Sequence, residues 1–241
     1  MQGEAVSDKN GYLIRRSSRA RRARLTVTDT GEAVVVLPTR AAERVARDLF
    51  AAHRSWVERH QRRILDRRAT LAERPSLDKG RGIPIDGMPH AVIVTTALHQ
   101  SRSVVRVEDG ARLVVERAPH ERHATAELLE TWLRELARDR IGERLGRRAV
   151  EMDLEVDRLR IADQRTRWGS ASRSGTLSFN WRLVMGPPHV LDYVVVHELA
   201  HVKVSGHGRK FWQLVERYYP DPKAARRWLR LHHDELRHAL D

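Results

Sequence analysis

The spacing of apolar residues changes period several times along this chain. Tyr12-Leu13-Ile14-Arg15, Arg24-Leu25-Thr26-Val27-Thr28 and Ala33-Val34-Val35-Val36-Leu37 are short apolar runs that read as strands. Asp29-Thr30-Gly31-Glu32 supplies a hairpin turn between the last two, and residues 1–10 read as a frayed terminus. Thr39 then caps a helix from about Ala41 to Arg68, whose apolar positions include Val45, Leu49, Trp56, Val57, Ile64 and Leu65. Pro75 to Gly82 is a linker-like break. A second β-rich stretch starts at Ile83, with strands near Ala91–Thr96, Ser103–Val107 and Arg112–Glu116 and turns at Asp86-Gly87 and Glu108-Asp109-Gly110. A second long helix, from about Glu121 to Met152, carries Leu128, Leu129, Trp132, Leu133, Leu136, Ile141 and Leu145 on one face.

The last third is more varied. Leu159-Arg160-Ile161-Ala162 and Gly175 to Leu183 read as strands flanking the segment Arg165 to Ser172. Pro187-Pro188 marks a helix start, and Leu191, Val195, Leu199 and Val202 form an apolar stripe along that helix. A short helix follows over Lys210 to Tyr219, and a last one from about Lys223 to Leu240. The pattern predicts an α+β protein: a β-rich N-terminal part with one long helix over 1–118, and a second part over 119–241.

The third helix holds the chemistry. His197-Glu198-Leu199-Ala200-His201 places two imidazoles four residues apart, on one side of the helix and opposite the apolar stripe. Buried histidines need partners, and one metal ion serves both. The glutamate between them can take a proton from water held by that ion. Gly206 and Gly208 flank His207, so the chain can turn back and bring a third imidazole to the ion. Three protein ligands leave a position open for water, the catalytic pattern for zinc, although three-histidine sites also accept other transition metals. The two-histidine pattern arises in roughly 5% of shuffled chains of this composition and the three-histidine pattern in about 0.3%, so composition alone does not supply it.

Composition narrows the rest. The chain has 241 residues, a net charge of +13 and no cysteine, which excludes disulfides, thiolate ligation and a cysteine nucleophile. Without an apolar run of about 18 residues no membrane span is expected. With no basic start and apolar stretch at Met1 to Ala5, the cytoplasm is the expected compartment. Six arginines fall between Arg15 and Arg24. Such a run can contact nucleic acid, but no aromatic residue interleaves to stack on bases, so a solvated strand and turn is the favoured reading.

Arg167-Trp168-Gly169-Ser170, Asn180-Trp181-Arg182-Leu183, Asp192 to His201, His207-Gly208, Phe211-Trp212 and Pro220-Asp221 occur in that order. This succession resembles the YgjP-like family of metal-dependent hydrolases, relatives of the WLM and SprT-like metallopeptidases. It departs from the metzincin signature, which has glycine where Val204 stands here. The resemblance implies His197, His201 and His207 as metal ligands, Glu198 as catalytic acid/base and a gluzincin-type, zincin-like core. Relatives commonly have cysteine where this chain has Ala171.

Arg165, Arg167 and Trp168 precede the metal helix, where an edge strand can pair with extended substrate or an arginine can hold an anion. They can equally be packing residues. Tyr193, one turn before His197, can lean on an oxyanion or pack. Trp181, Phe211 and Trp212 are expected in the core, and His232 and His233 on the surface. The expected function is a zinc hydrolase of the metallopeptidase type acting on a peptide or small anionic substrate. The alternatives are a nucleotide pyrophosphohydrolase with the same centre, and a non-catalytic nucleic-acid-binding module with a structural metal.

Overall fold

The computed structural model describes residues 6–7, 11–28, 30–172 and 174–241. Most of the expected frayed terminus and Asp29 of the first hairpin turn lie outside the described residues. The chain forms two compact units, Met1–Arg74 and Pro75–Asp241.

In the first unit, β1 (Val6–Ser7), β2 (Leu13–Ser17), β3 (Arg24–Val27) and β4 (Ala33–Pro38) form a sheet in the order β1-β2-β4-β3. Val35 lies between Ile14 and Leu25 in register. With Tyr12, Leu37, Ala46, Phe50 and Val57 it makes this unit's core. The single helix expected from about Ala41 to Arg68 is two: α1 (Arg44–Ala52) and α2 (Arg54–Glu73), broken at His53, where φ is −120° and ψ 15°. No proline or glycine marks the break, so the helical spacing runs through it unaltered. Val45 and Leu65, expected on the apolar face, are exposed. The six arginines of the run are exposed as well. One of them, Arg16, donates to the carbonyls of Thr39 and Ala41, at 2.9 and 2.8 Å, and so ties down the loop into α1.

The second unit begins with β5 (Gly82–Ile85), β6 (Met88–Thr96), β7 (Val104–Glu108) and β8 (Arg112–Arg117), in the order β5-β6-β8-β7. The Asp86-Gly87 turn has positive φ at both residues, 51° and 79°, the pairing a tight hairpin needs. Its tip docks on the buried turn Trp181–Met185, with Asp86 N donating to Val184 O at 2.8 Å. A Cβ on Gly87 would lie 2.9 Å from the Pro187 ring, so only glycine fits.

The long helix α3 (Thr125–Glu151) buries Leu129, Leu133, Ala137, Ile141, Leu145 and Ala149. A strict four-residue step drifts about 40° per residue pair on a 3.6-residue helix, so the buried stripe winds around it. One end of α3 is fastened at Arg117 of β8, whose guanidinium donates to the Thr125 hydroxyl. Near the other end Arg148 meets Asp192. Ile83, Val92, Leu113 and Val115 therefore share one core with Leu133, Ile141, Val195 and Leu199. This packing explains why the division into units falls at Pro75 and not at residue 118.

β9 (Arg158–Ala162), β10 (Gly169–Ala171) and β11 (Thr176–Asn180) form a three-stranded sheet with β11 in the centre and β10 at one edge. Four helices complete the unit: α4 (Pro188–Lys203), α5 (Arg209–Tyr218), α6 (Pro222–Leu231) and α7 (His233–Arg237). The last two replace the single terminal helix expected to about Leu240. Along α4 every residue from Val190 to Val196 is buried. Leu191, Val195 and Leu199 are core as expected, whereas Val202 is exposed. Among the described residues no helix is long and apolar enough to cross a membrane.

Candidate active site

The last two turns of α4 carry His197, Glu198 and His201, and the loop before α5 returns His207 to them. Gly206 makes that return with φ at +77°, a left-handed conformation that side chains disfavour. The Nε2 atom of His207 lies 3.1 Å from that of His201 and 3.2 Å from that of His197. One donor atom from each residue falls within 4.8 Å of the others. Phe211, fully buried, packs against all three rings at centroid distances of 4.9, 4.4 and 4.9 Å.

The chemistry of the donor set fits a transition-metal ion. The Nδ1 atom of His201 faces the Val204 carbonyl at 3.3 Å; a proton there leaves the Nε2 lone pair pointing at the other two rings. His197 Nδ1 meets the Tyr193 hydroxyl at 3.2 Å, with the same consequence. Burial, then the neighbouring imidazoles, push His197 down to about 3, and burial lowers His201. Both are neutral near pH 7, as ligands must be. Lone pairs converging on one point need a shared cation, and a divalent metal supplies it.

Glu198 is only 5% exposed. Burial pushes its carboxyl up to about 7, against the pull of Arg167 and of a hydrogen bond from the Ala171 N–H. Glycine at 169 makes this placement possible: a Cβ there would stand 2.6 Å from Glu198 Oε1 and 2.7 Å from its Cγ. The strand carrying Gly169 is fixed from behind. Asn180 N donates to Trp168 O at 2.8 Å, Asn180 Nδ2 to Gln164 O at 2.9 Å and Gln164 Nε2 to Ser170 Oγ at 3.1 Å. Asp163 anchors the same segment through Arg182 and Arg237. Burial alone would raise its carboxyl, yet Arg182, Arg237 and Arg134 together hold it below the usual value. Sequence reasoning missed Asp163, Gln164 and the role of Asn180. Their only signal was the run of polar residues on either side of Trp168.

A cleft of about 1390 Å³ opens over this centre, lined by the three histidines, Glu198, Arg167 and Trp168 among others. Three of the four residues singled out for substrate, Arg167, Trp168 and Tyr193, thus line the cleft, while Arg165 does not. The Tyr193 hydroxyl, however, is turned to His197 Nδ1, and its ring packs on Tyr219 at 5.5 Å. Burial pushes that hydroxyl up to about 12, so it stays protonated. This geometry makes it an orienting partner of a ligand. Trp181 and Phe211 are core as expected. Trp212 is half-buried, and its ring centroid lies 6.0 Å from those of both His197 and His207. The expectation for His233 is overturned: it packs edge-on against Trp168 at 5.6 Å and faces the cleft. A further cleft residue escaped the sequence reading. Arg226, on α6, stacks over the Trp212 ring with Cζ 4.7 Å from its centroid.

The family described as YgjP-like, metallopeptidase domain, matches residues 21–232. No curated protein matches the chain. Among solved structures, the metallopeptidase zymogen abylysin of Pyrococcus abyssi is similar at 23% identity over 37% of this chain and 91% of that one, with a TM-score of 0.35.

Proposed function

The chain belongs to the YgjP-like metallopeptidase family, and from that premise we propose a zinc-dependent hydrolase that cleaves a peptide or related amide with Glu198 as general base. One observation carries the reading: Glu198 is buried beside the three histidines without an ion-pair partner among the described residues. A carboxylate held there without a counter-ion is placed to accept a proton from water. A structural metal site needs no such carboxylate, which counts against a purely binding role.

His197, His201 and His207 would hold a zinc ion, which would supply a Lewis acid and lower the pKa of water toward neutrality. Glu198 takes the proton from the attacking water, holds it on the carboxyl, and hands it to the leaving amine. The Ala171 N–H keeps the carboxylate aimed during both transfers. Val204 O and Tyr193 hold the outward nitrogens of two ligands and so fix the ring planes. The outer edge of β10 supports binding of an extended peptide by strand addition.

The test is turnover of a peptide library by the zinc-loaded protein and by Glu198→Gln. Cleavage by the first, lost about 10²–10⁴-fold in the second, is expected. Equal cleavage by both overturns the mechanism.

A further inference from the structure

Many arginines of the second unit are paired with carboxylates. Arg148 and Arg144 pair with Asp192; Arg182, Arg237 and Arg134 with Asp163; Arg106 with Glu108 and Glu116. Three arginines, Arg167, Arg226 and Arg230, line the metal cleft, and none has an acidic partner among the described residues; of these, Arg167 and Arg226 bear on the charges of the centre itself.

The charges of the two reach different groups of one centre. That of Arg226 bears on His197 and Tyr193, and that of Arg167 on Glu198. Stacking over Trp212 fixes the plane of the Arg226 guanidinium while leaving its N–H fork free. A neutral peptide backbone needs neither cation. Two unpaired guanidiniums around one reacting position suit an oxyanion that binds both.

Resting on the hydrolase reading above, we infer that Arg226 and Arg167 form an anion subsite that selects substrates carrying a carboxylate or phosphate close to the bond that is cut. The shared chemistry is a planar or tetrahedral oxyanion, and the test separates its two sources.

Inorganic phosphate and succinate are titrated by calorimetry into the metal-free full chain, so that no metal takes the anion. Arg226→Met and Arg226→Lys are compared with wild type, the second keeping the charge but losing the fork. Binding that weakens at least 10-fold in Arg226→Met and less in Arg226→Lys supports the subsite. Equal binding in all three overturns it. The zinc-loaded proteins are then given one peptide with a free or an amidated carboxyl terminus, and a nucleoside triphosphate beside its nucleoside. The anionic member of the productive pair is favoured about 10- to 100-fold in kcat/KM, and that ratio collapses toward one in Arg226→Met. A ratio near one in wild type removes the subsite and leaves the hydrolase standing. Anion binding that depends on Arg226, with no turnover of any substrate, keeps the subsite and removes the hydrolase reading.

Discussion

Asp192 and Glu198 lie on the same helix, α4, and are buried alike, at 4% and 5% exposure. Their surroundings differ. Asp192 is clamped by Arg148, with Nε 2.9 Å from Oδ1, and approached by Arg144 at 3.6 Å. Glu198 is paired with no cation among the described residues and receives the Ala171 N–H. The first carboxylate ties α4 to α3. The second keeps an affinity for protons that pairing would remove. Depth of burial therefore does not distinguish a structural carboxylate from a reactive one; a counter-charge in direct ion-pair contact does.

Substitutions sharpen that contrast. Glu198→Gln is expected to lower kcat about 10²–10⁴-fold while changing stability by less than about 1 kcal/mol, because no buried partner is orphaned. Steady-state rates and denaturant unfolding check the two halves. Gly169→Ala has the next largest effect. Its methyl group collides with the Glu198 carboxyl, and displacement of a reacting group by about 1 Å costs about 10²-fold in rate; zinc content should not change. Asp192→Asn inverts the pattern. It leaves Arg148, about a fifth exposed, without its main partner, so unfolding becomes easier by about 3 kcal/mol while kcat per folded molecule holds.

Tyr193→Phe keeps the ring on Tyr219 and removes only the contact to His197 Nδ1, so zinc affinity falls about 10-fold. Competition with a chelator measures it, and unchanged affinity would contradict the orienting role. The smallest effect is on acid stability. Asp163 has its carboxyl held below the ordinary aspartate value of 3.8 by three arginines. The unfolded chain therefore takes up the proton first, and stability rises with pH through this window. The contribution is complete above the unfolded value and is lost as pH falls through the folded one. Unfolding midpoints at pH 5 and pH 3 should diverge more for wild type than for Asp163→Asn.

Much of the centre was legible because its parts are local. His197, Glu198 and His201 need only a helix, and His207 needs only a turn that Gly206 announces. Tyr193 was rightly placed one turn from His197, but spacing does not say which ring nitrogen its hydroxyl meets. Gly169 against Glu198, Asn180 against Trp168, and Arg226 over Trp212 are contacts between segments far apart in sequence, with no periodicity to reveal them. The break at His53 left no trace because neither proline nor glycine enforces it. Assignment of β5 to β8 to the second unit depends on the winding apolar stripe of α3, whose partner a helical pattern does not name.

In the proposed mechanism Glu198 acts on chemistry and not on metal retention. Zinc stoichiometry and peptide turnover, measured on one preparation of Glu198→Gln beside wild type, test this most directly. One equivalent of zinc in both proteins, with turnover confined to wild type, is the predicted result. Full zinc with undiminished turnover in the variant would contradict it.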